Sequence, residues 1–366
     1  MKIAIISETP FQLYNAINLI CGFQKDVTID LYISIFLPKM ELYANRLSEK
    51  KWFRGNVIVL TPADNLLERI RRYILRGVSP KCALKSAMQD KKIRCEKEYE
   101  EIYMGCPNPL SFNLANAYTK SSVIFYEEGT GSYHGKIGTS VMSKRLKLQQ
   151  MLTNKGPEKI EPKQLLLYEP QLCRSEYKTQ LGQLPKISAE SETYKKMKDV
   201  FCYDIDVEEQ YSINNVVYLG QPQYPYYNGD YDVSIKMIEE ELMRFNERVI
   251  YRPHPSQNEI DHFKHVDISR SQWEVLSGIL SEDKVLIGIC STAQFTPKYI
   301  YDKEPVLIFT LQIFDNYCPV ETKVQLLEMI EDIKSIYKHK ERIICPKSVQ
   351  DLSIILEGLF NGKNNF

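Results

Sequence analysis

Long apolar runs are missing from this 366-residue chain: none approaches the roughly 18 residues of a membrane span. The first run, Ile3-Ala4-Ile5-Ile6, is too short for a secretory leader and reads as a strand. Net charge is missing too. Lys plus Arg and Asp plus Glu stand at 47 each, so no global field favours nucleic acid or an anionic membrane. Cysteine pairing is absent: the nine cysteines are odd in number, form no CxxC and show no zinc-site spacing with histidine. Reduced thiols in a cytoplasm fit that pattern. There is no GxGxxG, Walker A loop, HExxH or GxSxG, which weakens the case for dinucleotide dehydrogenases, P-loop enzymes, zinc proteases and serine hydrolases. A periplasmic sugar-binding protein would need a leader, which speaks against that class.

What is present is ordinary in bulk, with 43% hydrophobic and 26% charged residues, as in a globular protein. Tyrosine is the exception, at 24 residues. Either the surface handles polar, ring-shaped ligands, or a low-GC bacterial genome sets the count. Apolar runs such as "KIAIIS", "VTIDLYISI" and "NVIVLTP" alternate with helical spacing such as "FQLYNAINLICGF". The alternation predicts a doubly wound α/β sheet. It continues through "YEEIYMG" and "SSVIFYEEG" and restarts near residue 210 with "NNVVYLGQP", "ERVIYRPHP", "KVLIGICSTAQF", "EPVLIFT" and "KERIICP". Residues 136–200 are polar and weakly periodic, with helical stretches. The expected organisation is two Rossmann-like domains, 1–210 and 211–350, facing across a cleft. A terminal helix over 351–366 is expected to pack back on the first.

Ligands of open α/β sheets bind where strands end. Five loops qualify: Glu8-Thr9-Pro10, Glu127-Glu128-Gly129, Gly220-Gln221-Pro222, Pro253-His254-Pro255 and Cys290-Ser291-Thr292. In "RPHP" the two prolines hold the backbone of His254 and prevent a helix. Its ring titrates near working pH and suits a leaving phosphate; the plain alternative is a turn histidine. Ser291 and Thr292 open a helix whose amides suit phosphate or carboxylate, though capping is the commoner use. The pairs Asp204/Asp206 and Asp230/Asp232 match the DxD of metal-dependent sugar transferases, but the match is unspecific and both read as surface connections. His134 sits in the acidic loop, whereas His262, His265 and His339 have no matching partners.

Taken in order, "TPFQ", "YEEGTGS", "RPHP" and "CSTAQFT" resemble the bacterial lipooligosaccharide and capsule sialyltransferases of glycosyltransferase family 52. The resemblance runs over nearly the whole chain. It implies a GT-B fold and an inverting transfer of sialic acid from CMP-sialic acid to a terminal galactose, expected to be α-2,3, with no cofactor and no required metal. It assigns His254 to the departing phosphate and Glu127 or Glu128 to the acceptor hydroxyl as base. Thr9, Pro10, Gly129, Gly220, Gln221, Pro222, Arg252, Pro255, Ser291 and Thr292 fall on the substrate side. One departure is Gln223, where a relative carries an aspartate just after the Gly-x-Pro turn; Asp230 and Asp232 are the alternative bases. Adjacent Glu127 and Glu128 should repel, raising the pKa of one. Another nucleotide sugar, such as a UDP-hexose, is the alternative donor.

Leu66 to Lys97 is mostly helical and rich in Arg and Lys. A solvated face is the plain reading; docking on an anionic membrane or glycolipid acceptor is the sharper one. Expected partners are thus a nucleotide sugar, a galactose-terminated glycan and no nucleic acid. Peripheral membrane contact at the inner face and a homodimer stay open.

Overall fold

The computed structural model describes residues 1–105, 109–134, 160–174, 179–201, 203–221, 230–254, 262–269, 271–314 and 318–360, the side chains of 109 and 230–232 excepted. The chain divides into two compact units. One comprises Met1–Ile187 with Ser191–Val200, the other Ser188–Glu190 with Phe201–Phe366.

The first unit holds β1 (Lys2–Ser7), β2 (Thr28–Ser34), β3 (Arg54–Leu60), β4 (Glu101–Met104), β5 (Ser122–Tyr126), β6 (Gln164–Leu167) and β7 (Gln180–Gln183). All pair in parallel, in the order β3-β2-β1-β4-β5-β6-β7. Central strands such as Ile3–Ile6 and Ile102–Met104 are buried and almost wholly apolar, as a sheet covered on both faces requires. The expected β1-to-helix turn is present: Thr9 caps Pro10–Gly22, its hydroxyl accepting from the Gln12 amide, with Pro10 in the first turn. Strands β6 and β7 fall in the stretch read as polar and weakly periodic. Edge strand β7 reads "QLGQ" and is mostly exposed, so it shows no apolar run.

The second unit holds β8 (Val216–Leu219), β9 (Val249–Arg252), β10 (His265–Val266), β11 (Val285–Gly288), β12 (Val306–Phe309) and β13 (Ile343–Ile344). These too are all parallel, in the order β10-β9-β8-β11-β12-β13. Numbered from its own first strand, this sheet repeats the order of the first six strands of the other.

Two helices join the second unit. The second unit takes up the chain at Phe201, ahead of the expected 211, because helix Ile205–Ile213 belongs to it. Tyr211 donates to Asp267 at 2.7 Å, and the Asp204 amide donates to Ser271 Oγ at 2.9 Å. The terminal helix Val349–Phe360 packs within its own unit against Asp230–Met243, with Leu352 and Leu356 buried. Arg244 reaches Ser353 and Glu357, and Phe245 stacks on Phe360 at 4.5 Å.

Many tyrosines fill cores: Tyr14, Tyr32, Tyr43, Tyr126, Tyr133, Tyr168, Tyr211 and Tyr251 are all fully buried. Their hydroxyls commonly end on polar groups, as where Tyr32 meets Tyr99 and Tyr99 donates to Asp30 at 2.5 Å. Among the described residues no helix is long and apolar enough to cross a membrane.

Candidate active site

A doubly wound sheet changes its direction of winding between two neighbouring strands, and the loops there part to leave a crevice. In the first unit those strands are β1 and β4, with β5 next in line. Their ends carry Glu8, Gly105 and Glu127-Glu128. Gln12 links them. Its side-chain oxygen accepts from the Glu8 amide at 2.8 Å, and its Nε2 donates to Glu128 Oε2 at 3.0 Å. Ser111 Oγ donates to Glu8 Oε1 at 2.6 Å. Gly105 makes this possible: a Cβ there would stand 2.6 Å from Gln12 Nε2. Gly129 turns the chain after the acids at φ +137°, a conformation that favours glycine. Burial first, and then the charges of Glu8 and Glu128 against a lowering bond from Ser7, push the Tyr126 phenol well up.

The two adjacent glutamates part company. Glu127 is 1% exposed, and its Oε2 accepts from Tyr133 at 2.6 Å and from the Tyr168 amide at 2.9 Å. Its backbone carbonyl accepts from Asn15 at 2.8 Å. Burial pushes its pKa up to about 7; the bonds from Tyr133 and Tyr168 oppose this, and the Glu169 charge adds to it. The expected cause, repulsion from Glu128, is not among these. Glu169 is itself buried and ion-paired with Lys186. Glu128 is half-buried and is the acid of the pair that solvent reaches. His134 ends the short helix Gly131–His134 in the same loop.

In the second unit the change of winding falls between β8 and β11, with β9 on the other side of β8. Register places Leu219 opposite Arg252 and Tyr218 opposite Ile287, so the loops after all three strands open at one level. Gly220 donates to the Arg252 carbonyl at 2.8 Å. Gln221 is buried, and its Nε2 has no hydrogen-bond partner among the described residues. Such a donor costs stability unless something meets it. Arg252, expected on the substrate side, is held within its own unit: it pairs with Asp267, donates to the Ser271 carbonyl at 2.8 Å and lies over Trp273. His254 is half-buried, and burial lowers its pKa, so the imidazole is neutral near pH 7.

Ser291 caps helix Thr292–Tyr301 in a reciprocal box with Gln294. Gln294 anchors that box on the Ile308 carbonyl at 3.0 Å. Gly288 leaves room for it, since a Cβ would come within 2.8 Å of Gln294 Oε1. Pro297 lies inside the helix and cannot donate to Ala293, whose carbonyl is met instead by Trp273 Nε1 at 2.8 Å.

The structure thus brings Thr9, Pro10, Glu128 and Gly129 together at one sheet end, and Gly220, Gln221, His254, Ser291 and Thr292 at the other. Pro222, Gln223 and Pro255 lie outside the described residues, as do the side chains of Asp230 and Asp232. Asp204 caps its own helix by accepting from Asp206 at 3.1 Å. Among the described residues no group of three His, Cys, Asp or Glu is placed to hold a metal ion. Sequence reasoning missed Glu8 as a partner of Glu128, together with Gln12, Gly105 and Ser111. "TPFQ" contained Gln12, but nothing local marks its reach to Glu128, 116 residues away.

No protein-family model and no curated protein sequence matches the chain. Solved structures do. A spinosyn forosaminyltransferase is similar over 99% of this chain and 91% of its own, at 9% identity and a TM-score of 0.53. A protein described as a UDP-N-acetylglucosamine 2-epimerase from Listeria monocytogenes is similar over 100% and 98%, at 11% identity and a TM-score of 0.51. A Photobacterium 2,6-sialyltransferase, solved with CMP and lactose, is similar over 94% of this chain and 78% of its own, at 13% identity and a TM-score of 0.49. Identities this low speak of fold alone. Two parallel, doubly wound units and full-length likeness to such structures give this chain an α/β fold of the GT-B type.

Proposed function

We propose that the chain is a nucleotide-sugar-dependent glycosyltransferase, and that its donor is CMP-sialic acid. The observation that carries this is a division of chemistry between the two sheet ends. The first unit presents Glu128, a solvent-reaching carboxylate oriented by Gln12. The second presents His254 on a loop next to Gln221 and near the start of a ten-residue helix. A carboxylate suits an acceptor hydroxyl that must lose a proton. An imidazole, helix amides and an unmet amide donor suit a leaving phosphate.

In this reading CMP departs from the anomeric carbon with both electrons of the C–O bond. His254, neutral in the free protein, donates a hydrogen bond to the phosphate, whose negative charge in turn favours the imidazolium. Gln221 Nε2 is available to the same group. Glu128 takes the proton of the galactose hydroxyl as its oxygen bonds to the anomeric carbon, inverting it. Glu127 supports the loop from below. The choice of CMP over other nucleotides rests on the order of "YEEGTGS", "RPHP" and "CSTAQFT" along the chain.

Thermal unfolding with CMP, UDP, GDP and NAD tests the donor. CMP should raise the midpoint, since a ligand held by the native state stabilises it by mass action. A rise with UDP and none with CMP would assign a UDP-sugar instead. Turnover should persist in EDTA; its loss there would return a metal to the mechanism through Asp230 and Asp232.

A further inference from the structure

Helix Leu66–Val78 is built inside out. At about 100° per residue, Leu66, Leu67, Ile70, Ile74 and Val78 share one arc roughly 120° wide. They are 70%, 79%, 47%, 54% and 72% exposed. The charged side turns inward. Arg72 is 8% exposed, pairs with Glu68 and donates to the Thr61 carbonyl at 2.6 Å. Arg76, four residues on, is half-buried. A helix that only covered the sheet would be oriented the other way. Five large apolar side chains turned outward together form a patch that needs a partner.

Charge identifies that partner. Residues 66–97 contain ten Lys and Arg against three Asp and Glu, a net +7 in a chain whose total is zero. Arg69 and Arg71 flank the apolar arc, and Lys81, Lys85, Lys92 and Arg94 follow, all exposed. A second copy docked face to face would set one such field against another. A bilayer with anionic headgroups offers acyl chains to the arc and phosphates to the cations together.

We propose that helix Leu66–Val78 lies in the plane of an anionic lipid surface, its apolar arc among the acyl chains and the cations behind it on the headgroups. Thirteen residues make about 20 Å of helix, too short to span a bilayer but ample to lie on one. The placement has a consequence for the acceptor. Arg72, on the inward side of the same helix, donates to the carbonyl of Thr61 just past the end of β3, and in this parallel sheet that is the end that also carries Glu8 and Glu128. A docked helix therefore sets the Glu8–Gln12–Glu128 end of the first sheet beside the membrane, which suits a lipid-borne glycan. That step rests on the transferase reading; the docking itself does not.

The test is co-sedimentation of the full chain with phosphatidylcholine vesicles, with and without phosphatidylglycerol, for wild type and Ile70→Asp/Ile74→Asp. Both positions are exposed, so the variant should unfold at the wild-type temperature. Wild type should partition onto the phosphatidylglycerol vesicles, less so in high salt. The variant should lose affinity by about tenfold or more. Failure of wild type to bind, or equal binding by the variant, would overturn the proposal. So would light scattering showing a wild-type dimer that the variant turns into a monomer, because a second copy would then own the face. Loss of vesicle binding leaves the CMP-induced thermal shift unchanged, so this proposal and the donor assignment fail independently.

Discussion

Glu127 and Glu128 are adjacent in the chain, yet one is buried and the other meets solvent. Glu127 has the pKa a base would want, about 7, but no acceptor hydroxyl reaches a carboxylate closed in by Tyr133 and Tyr168. Geometry decides before acidity does. Glu128→Gln should therefore lower turnover by about 10²–10⁴-fold with little change in stability. Glu127→Gln should keep turnover within about tenfold, since one amide oxygen can accept both bonds that Oε2 now accepts. A large loss in Glu127→Gln with little in Glu128→Gln would reverse the assignment. The same residue makes a prediction about pH. A carboxyl whose folded pKa exceeds its unfolded value binds more protons when folded, so its contribution to stability falls as pH rises between the two. For Glu127 the window runs from its ordinary 4.5 to about 7. Urea unfolding should show wild type losing about 3 kcal/mol relative to Glu127→Gln from the bottom of that window to above it. A constant difference across pH would show that Glu127 titrates normally.

At the scale of elements, the strands and the loops after them were legible wherever an apolar run stopped abruptly. Strands β1, β5, β8, β9 and β11 all did so, and each carries a predicted loop. Edge strands β7 and β10 were not legible, because four mostly exposed residues in one and two residues in the other form no run. Nor was the inverted helix Leu66–Val78. Its composition showed a basic segment, but which side turns inward is settled by the Thr61 carbonyl and Glu68 holding Arg72. The link from Gln12 to Glu128 was hidden for a related reason: it joins the ends of separate strands. Gly105 tests that link. Gly105→Ala should displace Gln12, release Glu128 and lower kcat without unfolding the unit, because the atom it meets is the end of a side chain. Wild-type kcat in that variant would remove Gln12 from the account.

On the scale of the whole molecule, two sheets share one winding order, and each opens its crevice where that order reverses. The repeat was readable from the restart near residue 210, although helix Ile205–Ile213 shows that the second unit claims residues before its first strand. In the proposed reading, the loops at the first sheet's end offer a carboxylate and those at the second sheet's end an imidazole. The most direct test is to supply CMP-sialic acid and lactose to the purified chain, with UDP-hexoses in parallel, and to identify the products. The account predicts sialyllactose with inverted anomeric configuration, formed from CMP-sialic acid alone and abolished in His254→Ala. Transfer from a UDP-hexose with none from CMP-sialic acid would contradict it.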